Sequence, residues 1–213
     1  MVESEWDILQ KSTGLLWELH NRLLKFSRAK IALCKKDKKL AKALHMYKGP
    51  WFSVLNGALR KDQALDKDCQ YIDSTLQALM DSCPTDILLY RSIDGAFAEN
   101  IANLKIGQTF TELGYSSTSF DAKSALNFDS TKITLLVIHP ERSKCIYIDG
   151  FRDIYCKDRW PYQAEVLLNK NSTFRIIKKE PTRNIVFLNA AFGCKESVAI
   201  KRTVKTVHIE ALI

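Results

Sequence analysis

Long hydrophobic runs are missing from this chain of 213 residues. No stretch approaches the roughly 20 uninterrupted apolar residues that a bilayer-crossing helix needs, which argues against an integral membrane protein. No leader for general secretion is expected either. Met1-Val2-Glu3-Ser4-Glu5-Trp6-Asp7 begins acidic and has no apolar core running into small residues. Any export is therefore expected to follow another route. Histidine is scarce: the four present (20, 45, 139 and 208) lie far apart. The six cysteines (34, 69, 83, 145, 156 and 194) show no Cys-x-x-Cys pair and no spacing suited to zinc. That pattern argues against a zinc enzyme and against a Cys/His protease, so no metal is expected. The cysteines read as reduced, mostly buried thiols of a cytosolic-type protein. There is no internal repeat, no low-complexity tract and no clear linker.

What is present suits a globular domain. Aliphatic, aromatic and cysteine residues make up 46% of the chain and charged residues 26%, with length enough to bury a real core. The net charge of +8 is concentrated at residues 25–42 (KFSRAKIALCKKDKKLAK), where Asp37 is the lone acid. Such a patch can attract nucleic acid, anionic lipid or an acidic protein, or simply solvate a face. Aromatic residues do not alternate with these lysines as a base-stacking platform requires, so specific nucleic-acid binding is not expected. Peripheral membrane contact through the basic N-terminal helices stays open, beside plain packing of that stripe on the domain.

Two textures follow one another. Up to about residue 80 the apolar residues recur at helical spacing. Ile8, Leu9, Leu15, Leu16, Leu19, Leu23 and Phe26 trace one stripe, and Ile31, Leu33, Leu40 and Leu44 another. Gly49-Pro50 interrupts, residues 51–59 resume, and a further helix is expected over 70–81 before Pro84. Short strand-like runs come next, at 87–90, 114–120, 133–138, 146–148, 164–168, 174–177, 184–188 and 203–209. Helices followed by strands predict an α+β fold with a mainly antiparallel β core. The division expected is an N-terminal helical extension, 1–45, and a main domain, 46–213.

Three short segments carry candidate chemistry. Leu89-Tyr90-Arg91-Ser92 ends a strand on arginine. Gly114-Tyr115-Ser116-Ser117-Thr118-Ser119-Phe120 alternates hydroxyls along a strand. Tyr162-Gln163-Ala164-Glu165-Val166-Leu167-Leu168 opens an apolar strand on glutamate. Each alone has an ordinary reading: a surface ion pair, a polar sheet face, a solvated strand mouth. In combination they suit an anionic dinucleotide. Residues two apart in a strand share a face, so Ser117 pairs with Ser119 and Gln163 with Glu165. Arginine forks onto phosphate or ribose. A carboxylate steadied by a hydroxyl can hold a ribose hydroxyl and stabilise positive charge at the anomeric carbon.

This Arg, Ser-Thr-Ser, Gln-x-Glu series resembles the arginine–serine–glutamate class of ADP-ribosyltransferases, and within it the bacterial exoenzyme-toxin family that includes the Rho-inactivating clostridial exoenzymes. The similarity spans residues 47–177 and includes Leu55-Asn56-Gly57-Ala58-Leu59-Arg60 and Gly107-Gln108-Thr109-Phe110. The resemblance implies the ADP-ribosyltransferase fold, with a two-sheet β core, and NAD⁺ as co-substrate. It implies that Arg91 contacts the phosphate and ribose side of NAD⁺. Ser117, opening Ser117-Thr118-Ser119, would support the nicotinamide pocket and hold Glu165, the catalytic glutamate. Gln163 would address the acceptor side chain. An amide cannot act as a base, so an acceptor other than arginine is implied. Asn56 and Arg60, one helical turn apart, are candidates for the pyrophosphate, Arg60 also reading as a solvated helix cation. Phe128 against nicotinamide and Lys132 to phosphate are further candidates, Phe128 also reading as a core aromatic. The segment 149–162 is longer than the family pattern. Its Trp160 and Tyr162, with Gln163, suit recognition of the protein substrate as well as simple packing.

The function so implied is transfer of ADP-ribose from NAD⁺ to a protein side chain, by a monomeric effector or toxin acting in a host cytosol. The alternative is a catalytically weak NAD-fold module that binds protein.

Overall fold

The computed structural model describes residues 13–84, 86–127, 130–151, 164–189 and 198–212. Helix α1 (Thr13–Lys36) leads into α2 (Lys38–Met46). Asp37 separates them, accepting from the Lys39 amide at 2.8 Å and thereby capping α2. At the Gly49-Pro50 break the chain forms a π-helical turn (Tyr47–Trp51) in which Gly49 leaves the helical region, and α3 (Phe52–Arg60) follows directly. Helix α4 (Lys67–Leu79) is capped by Asp66, which accepts from the Cys69 amide at 2.7 Å. These helices lie within the region that hydropathy marks as helical. Leu15 and Leu33 of the expected stripes face solvent, because each falls off the arc that Leu16, Leu19 and Leu23 present to the core. Ile8 and Leu9 lie outside the described residues.

The strands are β1 (Asp81–Ser82), β2 (Leu89–Ile93), β3 (Thr109–Glu112), β4 (Ser116–Ser119), β5 (Lys132–His139), β6 (Lys144–Tyr147), β7 (Glu165–Leu168), β8 (Ser172–Lys179), β9 (Arg183–Asn189) and β10 (Val198–Ala211). Two short helices, α5 (Gly95–Asn103) and α6 (Ala122–Leu126), punctuate them. Hydrogen bonding runs in the order β1-β6-β7-β4-β2-β5-β10-β8-β3, with β9 alongside β10. Among the described pairings only β5–β10 is parallel, so the mainly antiparallel core is as expected. The two halves of the sheet meet at one register pair, Tyr90 with Ser119, between β2 and β4. Arg91 stands on one side of that seam, and Ser117 and Glu165 stand on the other.

Alternation along β7 divides the core. Val166 and Leu168 join Leu89, Ile93, Leu136, Ile138, Phe174 and Leu23 in one cluster. Leu167, on the opposite face, packs with Leu44, Tyr47, Leu55, Leu76 and Ile146 in a second cluster under the helices. Cys34, Cys69, Cys83 and Cys145 are buried free thiols, and Cys156 and Cys194 lie outside the described residues. No helix among the described residues is long and apolar enough to cross a membrane.

Candidate active site

Glu165 is the first residue of β7, paired in register with Ser119 of β4. It shares its face with Leu167, so its side chain belongs to the helix-covered side of the sheet. Just before it, Ala164 has a φ of 53°, in the left-handed region that alanine seldom adopts. The Glu165 amide donates to Asp149 Oδ2 at 3.1 Å, holding the strand mouth from behind. The carboxylate is held at both oxygens. Ser117 Oγ donates to Oε1 at 2.6 Å, and Lys48 Nζ donates to Oε2 at 2.5 Å. The side chains of Lys48 and Glu165 are only 8% and 6% exposed.

Arg91 lies on the other face of its own strand pattern, beside a small cavity lined by Phe97, Phe110, Glu112, Ser116 and Leu136. Its Nη1 donates to Ser116 Oγ at 2.7 Å and sits 3.5 Å from Glu112 Oε2. Glu112 is buried and bridges two arginines. Its Oε1 accepts from Arg60 Nε at 2.8 Å and from the Gly114 amide at 3.1 Å, and Arg60 Nη2 reaches Oε2 at 3.3 Å. Burial pulls the Arg91 pKa below its ordinary value, and the Glu112 charge opposes that shift. A guanidinium keeps its proton in either case.

Tyr47 links the two groups. Its phenol is buried, and its pKa is pushed far above the ordinary value, first by desolvation and then by the Glu165 charge. Arg91 and Arg60 act on the same phenol in the opposite direction. Asn56 Oδ1 accepts from the Tyr115 amide at 2.7 Å.

The chain matches the family model for the ADP-ribosyltransferase exoenzymes over residues 24–211. The chain belongs to the ADP-ribosyltransferase exoenzyme family. It is thus an NAD⁺–protein ADP-ribosyltransferase by membership. Among solved structures it is similar to the ADP-ribosyltransferase Vis of Vibrio splendidus, at 17% identity over 99% of this chain and 91% of Vis, with a TM-score of 0.63. It is similar to the C3 exoenzyme of Clostridium limosum, at 21% identity over 89% and 93% of the two chains, with a TM-score of 0.58. Exoenzyme S of Pseudomonas aeruginosa, in complex with human 14-3-3 protein beta and carba-NAD, is similar at 20% identity over 91% and 88%, with a TM-score of 0.55. At these identities the likeness shows a shared fold. No curated protein sequence matches the chain.

Within this exoenzyme the residues singled out by sequence are only partly gathered. Ser117 and Glu165 touch, while Arg91 binds Ser116, the neighbour of Ser117. Thr118 turns to the core face and donates to the Val166 carbonyl at 2.5 Å, tying β4 to β7. Ser119 Oγ accepts from the Asp121 amide at 3.0 Å, at the entry to α6. Asn56 and Arg60 stand beside the site, both engaged with protein partners. Lys132 is exposed at the start of β5 and pairs with Thr203. It is four residues from Leu136, the register partner of Arg91, or about 13 Å along the strand. Phe128, Trp160, Tyr162 and Gln163 lie outside the described residues.

Four residues at the site escaped the sequence reading: Tyr47, Lys48, Glu112 and Asp149. Lys48 alone left a usable signal. It falls four residues after Leu44, in the turn that continues the buried stripe of α2, where a lysine needs a partner. The donor set suits NAD⁺ as substrate: two arginines for a pyrophosphate, and a carboxylate–hydroxyl pair for a ribose.

Proposed function

We propose that this exoenzyme transfers ADP-ribose from NAD⁺ to a side chain other than arginine on a host-cell protein, releasing nicotinamide. The 2.6 Å hydrogen bond from Ser117 to Glu165 carries this reading, because it aims one carboxylate oxygen and leaves lone pairs for a sugar hydroxyl. Glu165 holds the nicotinamide ribose and stabilises the positive charge that grows at its anomeric carbon. The bond from that carbon to the nicotinamide nitrogen breaks, and its electron pair leaves with the ring. The ring is already cationic before cleavage, so no strong general acid is required. An acceptor heteroatom then bonds to the carbon and loses its proton. Arg91, Arg60 and Asn56 face the pyrophosphate, and Ser119 and Phe128 are assigned to the nicotinamide side, while Thr118, bonded to the Val166 carbonyl, supports the site from the core face. Gln163 meets the acceptor, and Trp160 and Tyr162 contribute to recognition of the target protein. Its amide can orient an acceptor but cannot deprotonate a guanidinium, which is the basis for excluding arginine.

Incubation with labelled NAD⁺ and host-cell lysate tests the assignment. A labelled protein band is expected, absent in Glu165→Ala and weakened in Gln163→Glu, which keeps NAD⁺ hydrolysis near the wild-type rate. No band in the wild type, with NAD⁺ still bound, would favour a protein-binding module instead. Mass spectrometry of the labelled peptide identifies the acceptor, and a modified arginine would overturn the Gln163 argument.

A further inference from the structure

Lys48 lies outside every motif that carries the family resemblance, yet it contacts the carboxylate on which the proposed reaction turns. Its position follows from the helix preceding it. Ala43, Leu44 and Tyr47 form the buried stripe of α2 and the turn after it, and Lys48 continues that stripe one helical turn beyond Leu44. There the ammonium meets Glu165 Oε2 at 2.5 Å, with both side chains almost wholly enclosed. A lysine is rarely buried in this way unless it is paired.

The two donors divide the carboxylate between them. Ser117 takes Oε1 from β4, and Lys48 takes Oε2 from the helical side. Held by the serine alone, the group can pivot about that one contact. Held at both oxygens, its plane is fixed. Each oxygen accepts two hydrogen bonds, so Lys48 and a ribose hydroxyl can share the carboxylate. The ammonium also balances a charge placed in a largely dry setting, and a charge-assisted bond between such groups is stronger than a neutral one.

We propose that Lys48 is a positioning residue for ADP-ribose transfer: it orients Glu165 from the helical side and acts through that carboxylate, not on NAD⁺ itself. The inference rests on the assignment of Glu165 as the catalytic carboxylate. A residue of this kind affects the rate of bond cleavage and leaves ground-state binding of NAD⁺ largely untouched. An arginine, longer but still a cationic donor, substitutes for most of its effect.

The test is steady-state NAD⁺ hydrolysis by wild type, Lys48→Met, Lys48→Gln, Lys48→Arg and Glu165→Ala, with thermal unfolding of each recorded alongside. Lys48→Met is expected to lower kcat about tenfold or more with KM for NAD⁺ within about twofold, and Lys48→Arg to recover most of kcat. Lys48→Gln keeps a donor without the charge and fills most of the space. It carries the same prediction should Lys48→Met fail to fold. Three results overturn the proposal: unchanged kcat in Lys48→Met and Lys48→Gln, a raised KM with kcat intact, or a Lys48→Arg protein as slow as the neutral variants. An active wild type with an indifferent Lys48 overturns this inference alone. A wild type that releases no nicotinamide, like Glu165→Ala, overturns the assigned reaction and this inference with it.

Discussion

Ser116 and Ser117 are adjacent in the chain and separated by the pleat of β4, which turns them to opposite faces. Ser116 is buried and accepts from Arg91, whereas Ser117 is exposed and donates to Glu165. The two hydroxyls therefore serve different halves of the dinucleotide under the proposed function. A hydrogen bond to a charged group contributes about 1.5–3 kcal/mol, and about 1.4 kcal/mol is tenfold in rate. Ser117→Ala should lower kcat for NAD⁺ cleavage roughly tenfold or more with KM little changed. Ser116→Ala should raise KM several-fold with kcat little changed, and steady-state hydrolysis separates the two patterns. The reverse pattern would mean that the faces have been assigned the wrong way round. The contact of Ser117 with Glu165 was implied by the family resemblance, while the strand period by itself related only Ser117 to Ser119 and Gln163 to Glu165. The contacts of Lys48 with Glu165 and of Arg60 with Glu112 were legible from neither, since 117 and 52 residues separate the partners and no local pattern connects them.

At the scale of elements, the site joins the π-helical turn after α2, α3, β2, β4 with the turn into it, and the start of β7. Gly114 sits where α3 meets the turn into β4. A Cβ there would lie 2.9 Å from Asn56 Oδ1 and 3.4 Å from Arg60 Nε, inside the space these side chains fill. Asn56 Oδ1 is also the acceptor of the Tyr115 amide, so displacing it breaks the bond that seats β4 against α3. Gly114→Ala is expected to cost about 1–3 kcal/mol, as overpacking of a close contact does. Urea unfolding would show this as a lower midpoint at an unchanged slope, and an unshifted midpoint would mean the junction yields freely. The longer elements were readable from periodicity alone. Helix α6, with five residues, is too short to establish a period, and α5 and the mostly polar strand β3 were missed between two stronger strand signals.

At the scale of the whole molecule, the N-terminal helices and the sheet share one interior. Leu23 of α1 is buried with Val166 and Leu168 of β7, and His20 Nδ1 lies 2.6 Å from the Tyr147 hydroxyl of β6. A helix bound in this way unfolds with the sheet it covers. Leu23→Ala should therefore lower the stability of the entire chain by about 2–5 kcal/mol, as large-to-small changes in a core do. Circular dichroism at helical and strand wavelengths should then report one coincident transition; a sheet signal that keeps its midpoint would mark 1–45 as separable. Composition, period and the order of three short motifs determined the fold class, the helix-then-strand layout and the family, because those properties belong to neighbouring residues and strand faces. The tertiary structure decided which serine meets Arg91, which carboxylate bridges the arginines and which ammonium reaches Glu165. Those choices depend on crossing a sheet seam and a helix break, where partners are brought together by packing of the whole core and not by distance along the chain.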